Sequence, residues 1–568
     1  QDSIKVKNEY EKLTGSDSVV RRGMFNVYQK KNDYYFEIPS TLLERDMLVV
    51  NKLQRVPAEL NEAGVNRGTN YENQMIRFEL DKSANKLLIR QSRPLPISPS
   101  EDAISQSVKD NYISPLIAGF KVEAYNNDST SMLIKVNDIY DGTETSINNV
   151  FTNINLGTSA IKNLSRILSI KSFDNNVVAT SELTTRVTEG TTTIYVTVEV
   201  SSSILLLPEV PMTGRLDNPR VGYFTNPLTN FSDGQQRVNK KQFITRWRLE
   251  PRPEDRAAYL RGELVEPRKP IVFYIENSTP YRWRKYIKQG IEDWQVAFER
   301  AGFKNAIIAK EWPDDPTMSL DDARYSVLRY LPSETENAYG PRIVDPRSGE
   351  IMESHICWYH NVMNLLKKWY MVQCGPLDKR AQSMTFDDKL MGTLIQFVSS
   401  HEIGHTLGLR HNMAASSATP VEKLRDKAWV EANGHTVSIM DYARFNYVAQ
   451  PEDRISEKGL FPRIGDYDKW AIKWGYQYRP EFKDPFKEKA ALRAEVTKKL
   501  KGDHRLLFIG DEGKGSDPRS QSEDLGDNNM KANEYGIKNL KRVMENILTW
   551  TAQPDGQYDD FNTIYNSV

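Results

Sequence analysis

His401-Glu402-Ile403-Gly404-His405-Thr406-Leu407-Gly408-Leu409-Arg410-His411 fills every fixed position of the pattern H-E-x-x-H-x-x-G-x-x-H. The chain has seven histidines, and three of them fall within these eleven residues. His401 and His405 are four apart, so on a helix they share one face, a turn apart, and can converge on one ion. The run Leu390 to Val398 before them has a helical apolar period and few breakers. Gly408 tolerates positive φ, which ends such a helix and turns the chain so that His411 swings back as a third nitrogen ligand. Three neutral imidazoles leave a fourth position open for water, the requirement of a catalytic rather than a structural zinc. Ordinary surface or core histidines on a helix are the bland alternative, and they do not account for Gly408 and His411 at this spacing.

Glu402 follows the first ligand directly, so it points beside the metal instead of at it. There it can take a proton from water on the zinc and pass it to a leaving amine. The chemistry this implies is metal-assisted hydrolysis, with peptide or protein as the substrate.

A second signal is Ser438-Ile439-Met440-Asp441-Tyr442, whose methionine stands 29 residues past His411. It resembles the Met-turn of the metzincin clan, and together with the histidine pattern it forms that clan's defining pair. The resemblance implies that Met440 floors the site without ligating the metal and that Gly408 is structural. It also implies that Tyr442 matches the tyrosine of astacins and serralysins, which binds zinc at rest and then stabilises the oxyanion. The alternative for Tyr442 is a buried aromatic with a hydrogen-bonded hydroxyl. Upstream, Lys269 to Ile275 reads as a buried strand. Trp283, Ile287, Ile291, Trp294 and Phe298 form a helical stripe stopped by Gly302. Ala323 to Tyr330 is another strand, and Ile343 to Trp358 a hairpin turning at Asp345 to Gly349. That order is metzincin-like over about residues 240 to 476, and Pro462 to Ile472 looks like the clan's C-terminal helix.

The closest resemblance is to bacterial zinc-dependent metalloproteases with N-terminal domains of unknown function. Gly23 to Tyr28, Tyr35 to Pro39, Arg45 to Val50 and the lead-in Asp217 to Phe224 carry it. Asn412 departs from the better-known families, which have proline, glutamate or serine after the third histidine. Specificity is therefore not transferable from them. The resemblance also implies an exported protein. No signal peptide is visible, and the chain opens on Gln1.

The expected fold class is α+β: a metzincin-type domain with a mixed twisted sheet, backing helix, active-site helix and Met-turn, preceded by a large β-rich region. The expected division is 1–55, a small N-terminal segment; 56–233, a β-rich domain; 234–476, the protease domain; and 477–568, a helical extension. In the first 210 residues, Tyr34 to Ile38, Gln74 to Leu80, Lys86 to Gln91, Phe120 to Ala124, Ser131 to Val136 and Thr192 to Ser201 suit strands, with hairpin turns at Asn126 to Asp128 and at Glu189-Gly190. In the tail, Phe482 to Leu500 suits a solvated helix, and Tyr535 to Trp550 carries an apolar stripe at Ile537, Leu540, Met544, Ile547 and Leu548.

Lys plus Arg equals Asp plus Glu at 76 each, so charge gives no support for nucleic-acid or membrane binding. The longest apolar runs are too short to span a bilayer, and the expected protein is a monomer. Cys357 and Cys374 suit one disulfide or two buried thiols, the disulfide being preferred. Gly510 to Asp517 mixes carboxylates and glycines in the manner of a Ca2+ loop, but without EF-hand spacing; a polar loop is the plainer reading. His355, His360, His435 and His504 lack ligand spacing. Rival functions are a binding or adhesion protein with a latent protease domain, and a zinc hydrolase of a non-peptide substrate.

Overall fold

The computed structural model describes residues 8–92, 96–98, 101–510, 517–558 and 560–568. The fold is α+β. Its catalytic half is built on a mixed sheet in the order Ile307–Glu311, Ile271–Ile275, Ser326–Leu331, Ile351–Tyr359, Ala338–Tyr339, with Arg342–Val344 also paired to Ile351–Tyr359. The first four strands are parallel, and the last two pairings are antiparallel. The expected hairpin is there, with Ile343 opposite Glu353 and the turn at Asp345–Gly349.

The apolar stripe of the backing helix is buried as expected, but the helix is not continuous. It runs Tyr281–Glu292, breaks at Asp293-Trp294, and resumes as Gln295–Arg300. Trp294 explains the break: its side chain is wholly buried, and its indole N–H donates to the Ser400 carbonyl of the next helix (2.7 Å). The expected strand from Ala323 starts at Ser326, because Asp322 to Tyr325 forms a turn.

All strands expected in the first 210 residues are present. They belong to one eleven-stranded antiparallel sheet from Val19–Arg21 to Thr192–Leu206. The sheet curls until its ends meet, where Met24 N donates to Phe173 O (2.7 Å) and Ser172 Oγ to Phe25 O (2.6 Å). Inside lies an apolar core that includes Phe25, Phe36, Val49, Phe78 and Ile134. The strand Met47–Arg55 is buried on both faces. Met47 and Val49 point into that core, whereas Leu48 and Val50 pack with Ile343 and Met352 of the catalytic half. Alternate side chains of a strand face opposite ways, so one strand serves two cores.

The tail departs from expectation in two places. The helix Pro485–Gly502 is not solvated all round: Leu492 and Val496 join the catalytic core. In the helix Asn529–Thr551 the buried face is Ala532, Gly536, Asn539, Val543, Ile547 and Trp550, while Ile537, Met544 and Leu548 lie exposed. Asn539 is why hydrophobicity misleads here: its amide donates to Tyr447 O (2.9 Å) and Ala449 O (2.8 Å) and docks a polar face. The expected disulfide is absent. Cys357 and Cys374 are separate buried thiols, Cys357 on a strand facing the N-terminal sheet (Sγ to Arg67 O, 3.8 Å) and Cys374 in the catalytic core. Of the suggested calcium loop Gly510 to Asp517, residues 511–516 lie outside the described residues. No helix among the described residues is long and apolar enough to cross a membrane.

Candidate metal centre

The helix Asp388–Thr406 starts at Asp387, whose carboxylate accepts from Leu390 N (2.8 Å), and it is apolar on nearly every side because it is buried on nearly every side. Its last turn has its orphan carbonyls capped by side chains: Trp247 Nε1 donates to Thr406 O (2.9 Å) and Tyr476 OH to Leu407 O (2.7 Å). Gly408 follows at φ +95°, where a Cβ would collide with the Thr245 carbonyl. The lead-in segment then clamps the turn: Phe224 N donates to Gly408 O (2.7 Å) and Arg410 N to Gly222 O (2.8 Å). His411 is thereby returned toward the helix.

His401, His405 and His411 form a three-histidine group able to hold a metal ion. His411 Nε2 lies 3.2 Å from His401 Nε2 and 3.0 Å from His405 Nε2. Ligands at about 2.0–2.1 Å on a tetrahedral ion would stand roughly 3.3 Å apart, so this spacing fits zinc. The opposite ring nitrogens settle the tautomers: His401 Nδ1 faces Ile439 O (2.7 Å) and His405 Nδ1 faces Leu409 O (2.9 Å). With Nδ1 protonated, both rings turn bare Nε2 lone pairs toward one spot, an arrangement that is repulsive without a cation there. Burial, reinforced by the neighbouring imidazoles, holds the pKa of His401 well below the usual histidine range and that of His405 down to about 3. Neutral imidazole is the form that ligates.

Glu402, next to His401 on the helix, is half-buried, and burial pushes its pKa up to about 8 against the pull of Arg444. A cation among the imidazoles would lower it again by Coulomb attraction. Met440 is fully buried beneath the helix, and a Cβ at Gly404 would collide with its sulfur. Small size at Gly404 is thus what admits the methionine. The Tyr442 ring lies 4.3 Å from that of His411 and 5.8 Å from that of His401.

Four residues at the site escape sequence reasoning. Asp468 pins the Met-turn, accepting from Ser438 Oγ (2.6 Å) and Ile439 N (2.8 Å) as well as from Gly465 N (2.8 Å) at its own helix start. Arg444 lies between the rings of Trp369 (3.8 Å) and Tyr442 (4.1 Å), and its Nε donates to Glu523 (2.7 Å). Glu523 comes from the tail, and its N–H donates to Tyr442 O (3.0 Å). Asn412, fully buried, donates from Nδ2 to Leu507 O (2.9 Å) and accepts from Ile509 N (3.1 Å), while its own N–H reaches Met440 O (3.0 Å). Only Asp468 leaves a local trace, as an acidic residue in the first turn of Asp466–Tyr476. The other histidines serve elsewhere. His355 Nε2 lies 2.6 Å from Glu353, and His360 Nδ1 shares a hydrogen bond with Tyr330 OH (2.7 Å). His435 is buried against Arg444 O (3.1 Å).

A zinc-fitting trio, two histidines from one helix and the third from the turn beyond it, an adjacent carboxyl and a methionine floor define a metzincin-type zinc metalloprotease domain. Comparison with known families agrees: residues 383–568 match the family described as Met-zincin. Residues 68–252 and 7–56 match two domains of unknown function, DUF5117 and DUF5118. No curated protein and no solved structure matches the chain. The two unknown-function matches divide what the structure joins in a single sheet. At the level of family, the match of residues 383–568 supports a zinc metallopeptidase.

Proposed function

We propose that the chain is a single-zinc endopeptidase in which His401, His405 and His411 hold the metal and Glu402 is general base and then general acid. The convergence of three Nε2 atoms, with Glu402 following the first of these histidines in the helix, carries this reading. Zinc, when bound, supplies Lewis acidity that makes water a nucleophile near neutral pH and polarises a carbonyl. Glu402 accepts the proton from that water and returns it to the leaving amine. The Tyr442 hydroxyl donates to the oxyanion, with its ring held between His411 and Arg444. Met440 gives the metal an apolar floor. Residues 234–476 are taken as the domain carrying this chemistry, and 477–568 as an extension that completes its core and supplies Glu523.

The test is digestion of a proteome-derived peptide library by the zinc-loaded protein, with and without chelator, beside Glu402→Gln. Chelator-sensitive cleavage is expected, and Glu402→Gln should keep its zinc and lose about 10²–10⁴-fold in turnover. Undiminished cleavage by that variant assigns the base elsewhere. No cleavage by the wild type favours a latent, docking role.

A further inference from the structure

Around the segment that caps the last turn of the active-site helix lies a cavity of about 410 Å³, lined by none of the metal-site residues. Its walls come from Met212 to Arg215, Arg246 to Glu250, and the chain after Tyr476. Five arginines and one lysine line it against two glutamates, Glu250 and Glu488.

Most of that charge is accounted for. Arg215 is saturated, with Nη2 on Glu488 (2.6 Å), Nε on the same carboxylate (3.2 Å), and carbonyls of Trp474, Gly475 and Gln477 taking the rest. Arg248 pairs with Glu350 (2.9 Å), and Arg479 with Glu495. Arg246 is different. It is 8% exposed, donates from Nη2 to Thr213 O (3.0 Å), and its Nε is buried with no acceptor among the described residues. The Arg479 Nε is likewise buried without an acceptor. Glu488, the carboxylate near Arg246, is already engaged by both arms of Arg215, so two buried guanidinium groups share one carboxylate. A buried charge without a partner is costly, and the usual remedy is a bound counter-ion. At the rim, Arg256 and Lys483 are exposed. Against them, among the described residues, the Glu250 carboxylate is the one negative group of the lining left over, which leaves the cavity positive.

We propose that this cavity binds a small oxyanionic molecule, bearing phosphate or carboxylate groups, with Arg246 and Arg479 meeting the anion from the floor and Arg256 and Lys483 from the rim. Planar guanidinium donors are suited to such oxygens, and the volume falls within the range of small-molecule sites. The site is separate from the metal centre. It is nevertheless tied to it, since Trp247, next along the chain from Arg246, caps the active-site helix at Thr406.

The test is isothermal titration of the zinc-loaded full chain with inorganic phosphate, pyrophosphate and citrate, at ionic strength matched with sodium chloride. Saturable binding of one molecule per chain is expected from at least one of the three. Pyrophosphate without citrate would identify phosphate as the chemistry, and citrate without pyrophosphate would identify carboxylate. Arg246→Gln should weaken binding by roughly ten-fold or more, as loss of a charge-assisted contact does, and Arg256→Gln should weaken it several-fold. Arg55→Gln, on an exposed side chain of the N-terminal sheet, should leave it unchanged. Because Arg256 is exposed, its variant keeps the test decisive if Arg246→Gln fails to fold. Absence of saturable binding overturns the proposal. So does binding that neither arginine substitution weakens, which would place the anion at the metal.

Discussion

Replacing Asn412 tests whether the tail is part of the metal centre or merely lies near it. The Asn412 side chain is fully buried and reads the backbone of Leu507 and Ile509 as a neighbouring strand would, donating to one carbonyl and accepting from one N–H. Asn412→Ala removes both bonds. At a net worth of about 0.5–1.5 kcal/mol each, and with both backbone groups only partly buried, the loss should be about 1–3 kcal/mol. Asn412→Asp should cost more, although it is closer in shape. It keeps an acceptor for Ile509 N, but it sets a second acceptor against Leu507 O and buries a charge. The predicted order is therefore wild type, then alanine, then aspartate. Chemical denaturation of the zinc-loaded proteins gives the energies, and hydrogen exchange at the Ile509 amide gives the location. The variants should keep zinc, because Asn412 N to Met440 O is a backbone bond that survives substitution. An alanine variant within about 0.5 kcal/mol of wild type, with Ile509 still protected, would refute the reasoning; 0.5 kcal/mol is the scatter of neutral surface changes.

Tyr442→Phe keeps the ring that packs on His411 and removes only the hydroxyl, so kcat on a cleaved peptide should fall about 10²–10³-fold with stability unchanged; an unaffected kcat makes Tyr442 a packing residue. Asp468 is buried, and burial pushes its pKa up to about 7 against the hydrogen bonds it accepts. With an ordinary value of about 3.9, the folded state holds this proton more tightly than the unfolded one. Its contribution to stability is then complete below about pH 4 and lost as pH rises through about 7. Asp468→Asn stays neutral, so its stability relative to wild type should climb between those limits by up to about 1.4 kcal/mol per pH unit. Parallel unfolding curves would show that the carboxylate is ionised where it accepts its two backbone N–H groups. Residues 234–568 expressed alone would bare Ala323, Ile343 and Met352, now covered by the N-terminal sheet, and the fragment should be insoluble or less stable. A soluble fragment with much higher peptidase activity would instead make the N-terminal region an inhibitory prosegment.

What could be read without coordinates was whatever has a local period or a fixed spacing. The histidine pattern places three ligands because a helix and one positive-φ turn determine where they go. The hairpin at Asp345–Gly349 and the strand Lys86–Gln91 carry their own turn residues and alternation. Periodicity fails where it is continuous across a break, as at Asp293-Trp294, and where a helix docks through an amide, as at Asn539. It also passes over the strands Arg166–Ser172 and Asn176–Glu189, which are polar enough to resemble loops. The least legible residues are those whose partners are remote in sequence. Arg444 and Glu523 are 79 apart, and Asn412 and Leu507 are 95 apart. No window short enough to show a period contains both.

The N-terminal sheet is joined to the catalytic half by charge as well as by apolar packing. Lys52, on the strand shared by two cores, donates to Glu353 (2.7 Å), and His355 approaches the same oxygen (2.6 Å). Burial works to raise the pKa of Glu353, but His355 and Lys52 overcome it and hold the carboxyl below its usual range. A buried ion pair is a poor source of net stability, yet removing one partner typically costs about 3–5 kcal/mol. Such a pair therefore does little to strengthen an interface and much to fix its register. Glu353 stands opposite Ile343 in the hairpin. The hairpin's loop side carries Arg347, whose Nη1 reaches Asp46, immediately before the same N-terminal strand (3.1 Å). Two charge contacts, at Lys52 on the strand and at Asp46 just before it, thus set the hairpin's position along it. The strand segment just before the hairpin, Ala338–Tyr339, is at the edge of the catalytic sheet, and Gly340 lies against Thr406 and Glu402 of the active-site helix. A sheet that fixes the hairpin fixes the edge beside Glu402. On that ground we propose a permanent scaffold rather than a plug to be cut away.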